Sequence, residues 1–266
     1  MKTAISNIAW EKYNDKNILK LLKEFNISGI ELAPTKVWPE WNGITKDSIR
    51  DLKRYLDGEG FEIPAMQAIL FGKPSLQLFN IDSHKDFFDH FKLLAEIAYE
   101  LDTKSLVFGA PKNRRRNQVS VKDADKIAEA FFYKAGEIFK NSNTSLVIEN
   151  NPVEYMCDYL NNVKDVENIV NKVNSEGIKV HLDSAGIHMC GGDISEIIRD
   201  SKSFAHYHIS EPMLNPIHQK NVEHEKALNT LKEINYENWV SIEMKQTNDE
   251  YYDIKKSLEF LSKIGA

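Results

Sequence analysis

The chain reads as a single (β/α)8 barrel domain over residues 1–266, and three observations predict it. Apolar, β-rich runs alternate with amphipathic stretches along the whole length, the pattern of a parallel sheet with crossover helices. Eight such pairs follow one another without a linker, a low-complexity segment or a break in composition. The last four strands each end on a residue able to hold a metal: Ser145–Glu149, Ile178–Asp183, Phe204–His208 and Trp239–Glu243. Those ends lie 34, 25 and 35 residues apart, about one strand-loop-helix unit each, so parallel neighbours would bring all four to one end of one sheet. A doubly wound open sheet is the alternative, but it seldom needs eight near-regular units.

In chain order the strands are predicted at 3–8, 28–33, 61–69, 104–109, 144–149, 178–183, 203–209 and 239–244, where β-branched and aromatic residues cluster. Helices are predicted near 15–26, 45–59, 83–102, 121–141, 162–176, 193–201, 223–234 and 250–264. Asp15, Thr45, Ser83 and Ser120 stand where side-chain oxygens would cap the first turns. Gly60 and Gly177 follow helical periods, where a left-handed residue closes the helix.

Bulk properties narrow the function classes. With 34 basic against 40 acidic residues there is no general field for gripping a polyanion, so nucleic acid is not an expected partner. Cys157 and Cys190 have no metal-type spacing and read as free thiols in a reducing compartment. The beginning, Met1–Ser6, lacks a long apolar core and a small-residue cleavage site, and no segment approaches about 18 apolar residues. The reading is a soluble cytoplasmic protein, not a membrane protein, acting on a small molecule, with a homo-oligomer possible.

The four strand ends predict a site for one divalent cation held by Glu149, Asp183, His208 and Glu243. Taken singly, a strand-end carboxylate is often a helix cap, and a strand histidine is more often a hydrogen-bonded core residue than a ligand. Four consecutive strands ending this way are not something packing requires. Two glutamates, an aspartate and a histidine suit a hard or borderline ion such as Mn²⁺, Mg²⁺, Co²⁺ or Zn²⁺. Because strand residues alternate faces, His181 and His206 should lie one layer below, with Val147 and Ser241, making a polar layer under the ion.

The order Glu, Asp, His, Glu on strands five to eight resembles the sugar phosphate isomerase/epimerase family of xylose-isomerase-like TIM barrels. The local sequences Val147-Ile-Glu-Asn-Asn-Pro152, His206-Tyr-His-Ile-Ser-Glu-Pro212 and Val240-Ser-Ile-Glu-Met244 carry the likeness. Ile5-Ser-Asn-Ile-Ala-Trp10 and Ile30-Glu-Leu-Ala-Pro34 look like the family's first two strand ends, so the resemblance covers essentially the whole chain. It implies a metal-dependent isomerase or epimerase of a sugar or sugar derivative, in which Glu149 and Glu243 are also the acid/base pair. The cation would chelate a carbonyl and its neighbouring hydroxyl, and an enediolate would form when one glutamate takes the proton between them. A lyase or dehydratase working from the same carbanion, or an inactive sugar-binding barrel, are the alternatives. Apurinic endonuclease activity, also found in the superfamily, would need more ligands and a basic face.

Three positions depart from the epimerase pattern. Gly186 stands three residues after the aspartate where those enzymes carry a substrate-holding histidine, and the nearest histidine is His188. Leu214 replaces an arginine, and Tyr155 replaces a second glutamate. Substrate contacts are therefore sought elsewhere: His188; His224, which either faces the mouth or is a solvent-exposed helix start; and Arg114 and Arg115 within Lys112-Asn-Arg-Arg-Arg116. That run reads either as an anion clamp or as a solvated or subunit-contact loop. Trp10, with Trp38, Trp41 and Phe71, offers faces for sugar stacking, and Gln67 offers hydrogen bonds to hydroxyls.

Overall fold

The computed structural model describes residues 1–201 and 203–265. Eight parallel strands alternate with helices: β1 Lys2–Ser6, β2 Gly29–Glu31, β3 Ala65–Met66, β4 Ser105–Phe108, β5 Ser145–Glu149, β6 Ile178–Asp183, β7 Phe204–Ser210 and β8 Trp239–Glu243. The sheet order is β2-β1-β8-β7-β6-β5-β4-β3, and the bridges Gly29↔Glu62 and Leu32↔Met66 join its two ends, which makes a nearly closed barrel. This is the (β/α)8 architecture that the alternation predicted.

The crossover helices include Asp15–Glu24, Lys46–Gly58, His84–Leu101, Val121–Lys140, Val163–Val173, Ile194–Asp200, His224–Glu233 and Glu250–Lys263. Thr45 and Ser48 form a reciprocal capping box, and the Ser120 hydroxyl accepts from Asp123 N, as predicted. Two predicted caps differ. Asp15 is inside its helix and accepts instead from Trp10 Nε1 at 2.7 Å, whereas the Ser83 hydroxyl donates to the carbonyls of Gln77 and Asn80.

Gly60 has the predicted left-handed backbone, at φ +82°. Gly177 does not need one: the left-handed residue ending Val163–Val173 is Asn174, at φ +45°. Gly177 is small because Gly136 of the helix Val121–Lys140 packs against it, and a Cβ there would run into the Gly136 carbonyl. The third strand is far shorter than predicted, because Pro64 precedes it and Ala68 turns left-handed at φ +52° just after it.

The apolar core lies between sheet and helices. Phe87, Phe91, Phe108, Phe131, Phe132 and Phe139 are all essentially buried there and interlock edge to face, for example Phe87 on Phe131 at 4.9 Å between centroids. The barrel interior is polar at its centre. Along β5–β8, Glu149 pairs with His181 and His181 with His206, while Asp183 pairs with His208 and His208 with Ser241. His181, His206, Val147 and Ser241, expected one layer below the ion, are all buried. One step further along, Ser210 pairs with Glu243, so the strands climb past one another and deliver Glu149 and Glu243 to the same rim. Among the described residues no helix is long and apolar enough to cross a membrane.

Candidate metal centre

Glu149, Asp183 and Glu243 are the last residues of β5, β6 and β8, and His208 lies two before the end of β7. The residue that closes β7, Ser210, was not foreseen in the site; its hydroxyl donates to Asp183 Oδ2. Asp183 Oδ1 accepts from Gly186 N at 2.5 Å, so this aspartate also caps the short helix Ser184–Met189. Glu149 Oε2 accepts from the Asn151 amide at 3.2 Å.

Glu149, His181, Asp183 and His208 each offer a donor atom, and these atoms all lie within 4.8 Å of one another. That set differs from the predicted quartet in two ways. His181, expected a layer below, joins it. Glu243 stands just outside, partly exposed, with Oε2 3.4 Å from His208 Nδ1.

The charges explain what the set lacks. Burial, then the carboxylates of Asp183 and Glu243, push Glu149 up to about 8, against the opposing charges of His208 and Arg114. Burial and then Glu243 push Asp183 up to about 6, although His208, the Ser210 hydroxyl and the Gly186 N–H favour its ionised form. Burial opposes a charge on His208, but Glu31 and then Glu243 outweigh it and hold His208 well above the usual imidazole range. Burial, then the charges of His208 and His206, hold His181 well below that range, so its ring is neutral.

The residues present fit a divalent cation. His208 Nδ1 is buried without a hydrogen-bond partner, as are both ring nitrogens of His181. Asp183 and Glu243 raise the proton affinity of Glu149, and Glu243 that of Asp183, and a cation among them would relieve that repulsion. Oxygen and imidazole donors without a cysteine suit the ions named from the sequence.

Sequence reasoning missed Glu31, at the end of β2. Its carboxylate is fully buried, with Oε1 3.0 Å from His208 Nε2 and Oε2 3.2 Å from His206 Nε2. The hints were an acidic residue within the apolar run Ile30-Glu-Leu32 and its place in the family-like strand end Ile30-Glu-Leu-Ala-Pro34.

The predicted substrate contacts are placed variously. Arg114 is fully buried, and its Nη1 donates to the Glu149 carbonyl at 2.6 Å. Arg115 Nε donates to Met156 O, and Arg116 binds Asp158 and Val119, so the run is tied to its neighbouring loop and is not a solvated segment. His188 is exposed on the short helix Ser184–Met189. His224 is not solvent-exposed: it is buried, bonded through Nε2 to the buried Glu211, which follows the end of β7, at 2.8 Å, and packed near Phe260 of the last helix.

Trp10 is buried, with its N–H taken by Asp15, and Trp38 is buried as well. Trp41 donates to Phe71 O at 2.8 Å, and Phe71 is exposed. Gln67 Nε2 donates to Ser6 Oγ at 2.7 Å, linking the ends of β1 and β3.

At the departing positions, Gly186 serves through its N–H as the Asp183 cap partner. The Tyr155 hydroxyl accepts from Met213 N at 3.1 Å, tying the loop after β5 to the loop after β7. Burial, with the nearby charges of Asp183, Glu149 and Glu243, pushes this phenol up to about 12.

The family model described as xylose isomerase-like TIM barrel matches residues 19–264. The fold is similar to that of D-psicose 3-epimerase with D-tagatose from Clostridium cellulolyticum H10, at a TM-score of 0.80 and 15% identity over 99% of both chains. It is also similar to the probable 3-DHS dehydratase AsbF of Bacillus anthracis, at 0.77 and 17% identity over 98% of this chain and 99% of that one. The IOLI protein with a bound zinc atom matches at 0.74 and 20% identity, over 99% of this chain and 96% of that one. No curated protein sequence matches the chain.

Proposed function

Since the chain belongs to the xylose isomerase-like TIM barrel family, we propose that it is a divalent-metal-dependent isomerase or epimerase of a sugar or sugar derivative. The observation that carries this reading is the convergence of Glu149, Asp183 and His208 at one end of the barrel, with Glu243 beside them and a buried, unpartnered Nδ1 on His208.

Glu149, Asp183, His208 and Glu243 would hold one cation, with a ring nitrogen of His181 close by. When bound, that ion would act as a Lewis acid on adjacent sugar oxygens and make the C–H between them more acidic. The two glutamates do the proton work. Glu149 reaches the site from β5 and Glu243 from β8, on opposite sides of Asp183 and His208 in the strand order. One carboxylate removes the proton, and the other returns one to the opposite face for epimerisation, or to the adjacent carbon for aldose–ketose exchange. The Asn151 amide holds one oxygen of Glu149, and Ser210 and Gly186 hold both oxygens of Asp183, so the aspartate is the more firmly oriented of the two.

A sugar substrate is supported by the D-psicose 3-epimerase likeness, and a cation by the zinc-bound neighbour. Elimination of a β-hydroxyl would begin with the same proton removal, and the dehydratase likeness keeps that outcome in the test. Metal-loaded protein incubated with a panel of ketoses and keto-sugars should give an epimer or isomer of equal mass by chromatography and mass spectrometry. A product lighter by one water would assign the lyase reaction instead, and no turnover on any of the panel with metal bound would count against an enzyme of this class.

A further inference from the structure

We propose that Glu31 is the positioning residue of this site: it accepts the Nε2 proton of His208 and thereby leaves Nδ1 as the nitrogen presented to the cation. The inference rests on the functional reading above, because it presumes an ion among Glu149, Asp183 and His208.

His208 Nε2 lies 3.0 and 3.1 Å from the two oxygens of Glu31, and both residues are at 0% exposure, so water does not compete for either group. An imidazole that holds a cation is neutral, with one N–H and one lone pair, and an ionised carboxylate can only accept. The nitrogen facing Glu31 must therefore carry the proton, since a lone pair there would meet the carboxylate oxygens directly. The other nitrogen, Nδ1, faces Glu243 Oε2 at 3.4 Å and Asp183 Oδ2 at 4.0 Å and makes no hydrogen bond.

Glu31 is itself held in place. Its Oε2 lies 3.2 Å from His206 Nε2, so the layer below braces the carboxylate from a second side. At the end of β2 its backbone is paired to Ser6 of β1. One buried carboxylate thus sets the ring orientation of one histidine and is steadied by another. An acceptor behind a metal-facing imidazole fixes its tautomer and raises its basicity, and removing such a partner costs about 10–100-fold in metal affinity.

The test uses Zn²⁺ as probe, with full-length wild type, Glu31→Gln and Glu31→Leu. Competition with a chromophoric chelator should show a loss of about 10–100-fold in affinity for the Leu variant. The Gln variant, whose amide oxygen still accepts, should keep most of the wild-type affinity. Long-range ¹⁵N–¹H spectra of histidine-labelled, Zn²⁺-loaded wild type should show His208 protonated on Nε2, a readout that a merely structural role would not fix.

Wild-type affinity in the Leu variant would overturn the proposal, as would equal losses in Gln and Leu or a His208 protonated on Nδ1. If the Leu variant does not fold, the Gln affinity and the wild-type spectrum decide. Wild type that binds no Zn²⁺ would defeat both this inference and the reading beneath it. Wild type that binds Zn²⁺ regardless of Glu31 would defeat this one alone.

Discussion

Glu149 Oε2 occupies the space that a side chain on Gly109 would fill: a Cβ built there overlaps that oxygen and comes within 3.3 Å of Glu149 Cδ. Gly109 directly follows β4, so the barrel makes room for the first proposed ligand by omitting a side chain on the neighbouring strand. Gly109 has no positive φ among the described residues, so its role is space and not backbone freedom.

Gly109→Ala should therefore act on the site before the fold. The alanine backbone is compatible, but the methyl must displace the Glu149 carboxylate from its contact with Asn151. We expect at least a tenfold loss of metal affinity with a far-ultraviolet circular dichroism spectrum like that of wild type. Isothermal titration with Mn²⁺ checks it, and unchanged affinity would show that Glu149 does not need this position.

Asp183 has two duties that substitution can separate. Asp183→Asn keeps an oxygen to accept from Gly186 N, so the cap of Ser184–Met189 should survive while the negative charge is lost. Metal content after dialysis should fall sharply for Asp183→Asn and for His208→Ala, with both proteins still folded. Wild-type occupancy in both, measured by elemental analysis, would remove this cluster from the account.

Metal affinity should rise with pH. In the metal-free protein Asp183 is held at about 6 and Glu149 at about 8, both above their ordinary values of 3.8 and 4.5, so the folded state retains protons that the unfolded chain would release. Their contribution to stability is present below the ordinary values and is lost as pH rises through about 6 and then about 8. Cation binding must displace those protons, so affinity should climb from pH 5.5 to 8.5, and the metal-induced rise in melting temperature should grow over the same range. A melting shift independent of pH would contradict the carboxylate assignment.

The arginine run gives a different expectation from the anion clamp suggested by its sequence. Arg114 supports the Glu149 carbonyl from a fully buried position. Arg114→Met should leave that carbonyl unpaired and destabilise the fold by about 1–3 kcal/mol. It should also move the pH dependence of metal affinity upward, because the Arg114 charge favours ionised Glu149. Thermal melts and titrations at two pH values check both. A higher KM for a phosphorylated sugar with unchanged stability would instead support the clamp.

The eight strands and the carboxylate ends of β5, β6 and β8 were legible because period and spacing are local properties of the chain. The short β3 was not, since the left-handed turn at Ala68 carries no glycine to announce it. A charge run reads as solvated, and nothing local to Arg114 says that it reaches a carbonyl 35 residues away. The burial of His224 was not legible for a similar reason: its partner Glu211 lies 13 residues back, beyond the reach of helical spacing. Glu31 was visible as a residue in a family-like motif, but its meeting with His206 and His208 exists only once the barrel closes.

The central claim, proton transfer by Glu149 and Glu243 beside a cation, is tested most directly by solvent-deuterium exchange. Metal-loaded wild type incubated in deuterated water with a reactive ketose should place deuterium at the carbon next to the carbonyl, detected by NMR. Glu149→Gln and Glu243→Gln, metal-replete, should each exchange slower by orders of magnitude, since an amide cannot take the proton. Exchange at the wild-type rate in either metal-replete variant would contradict the account.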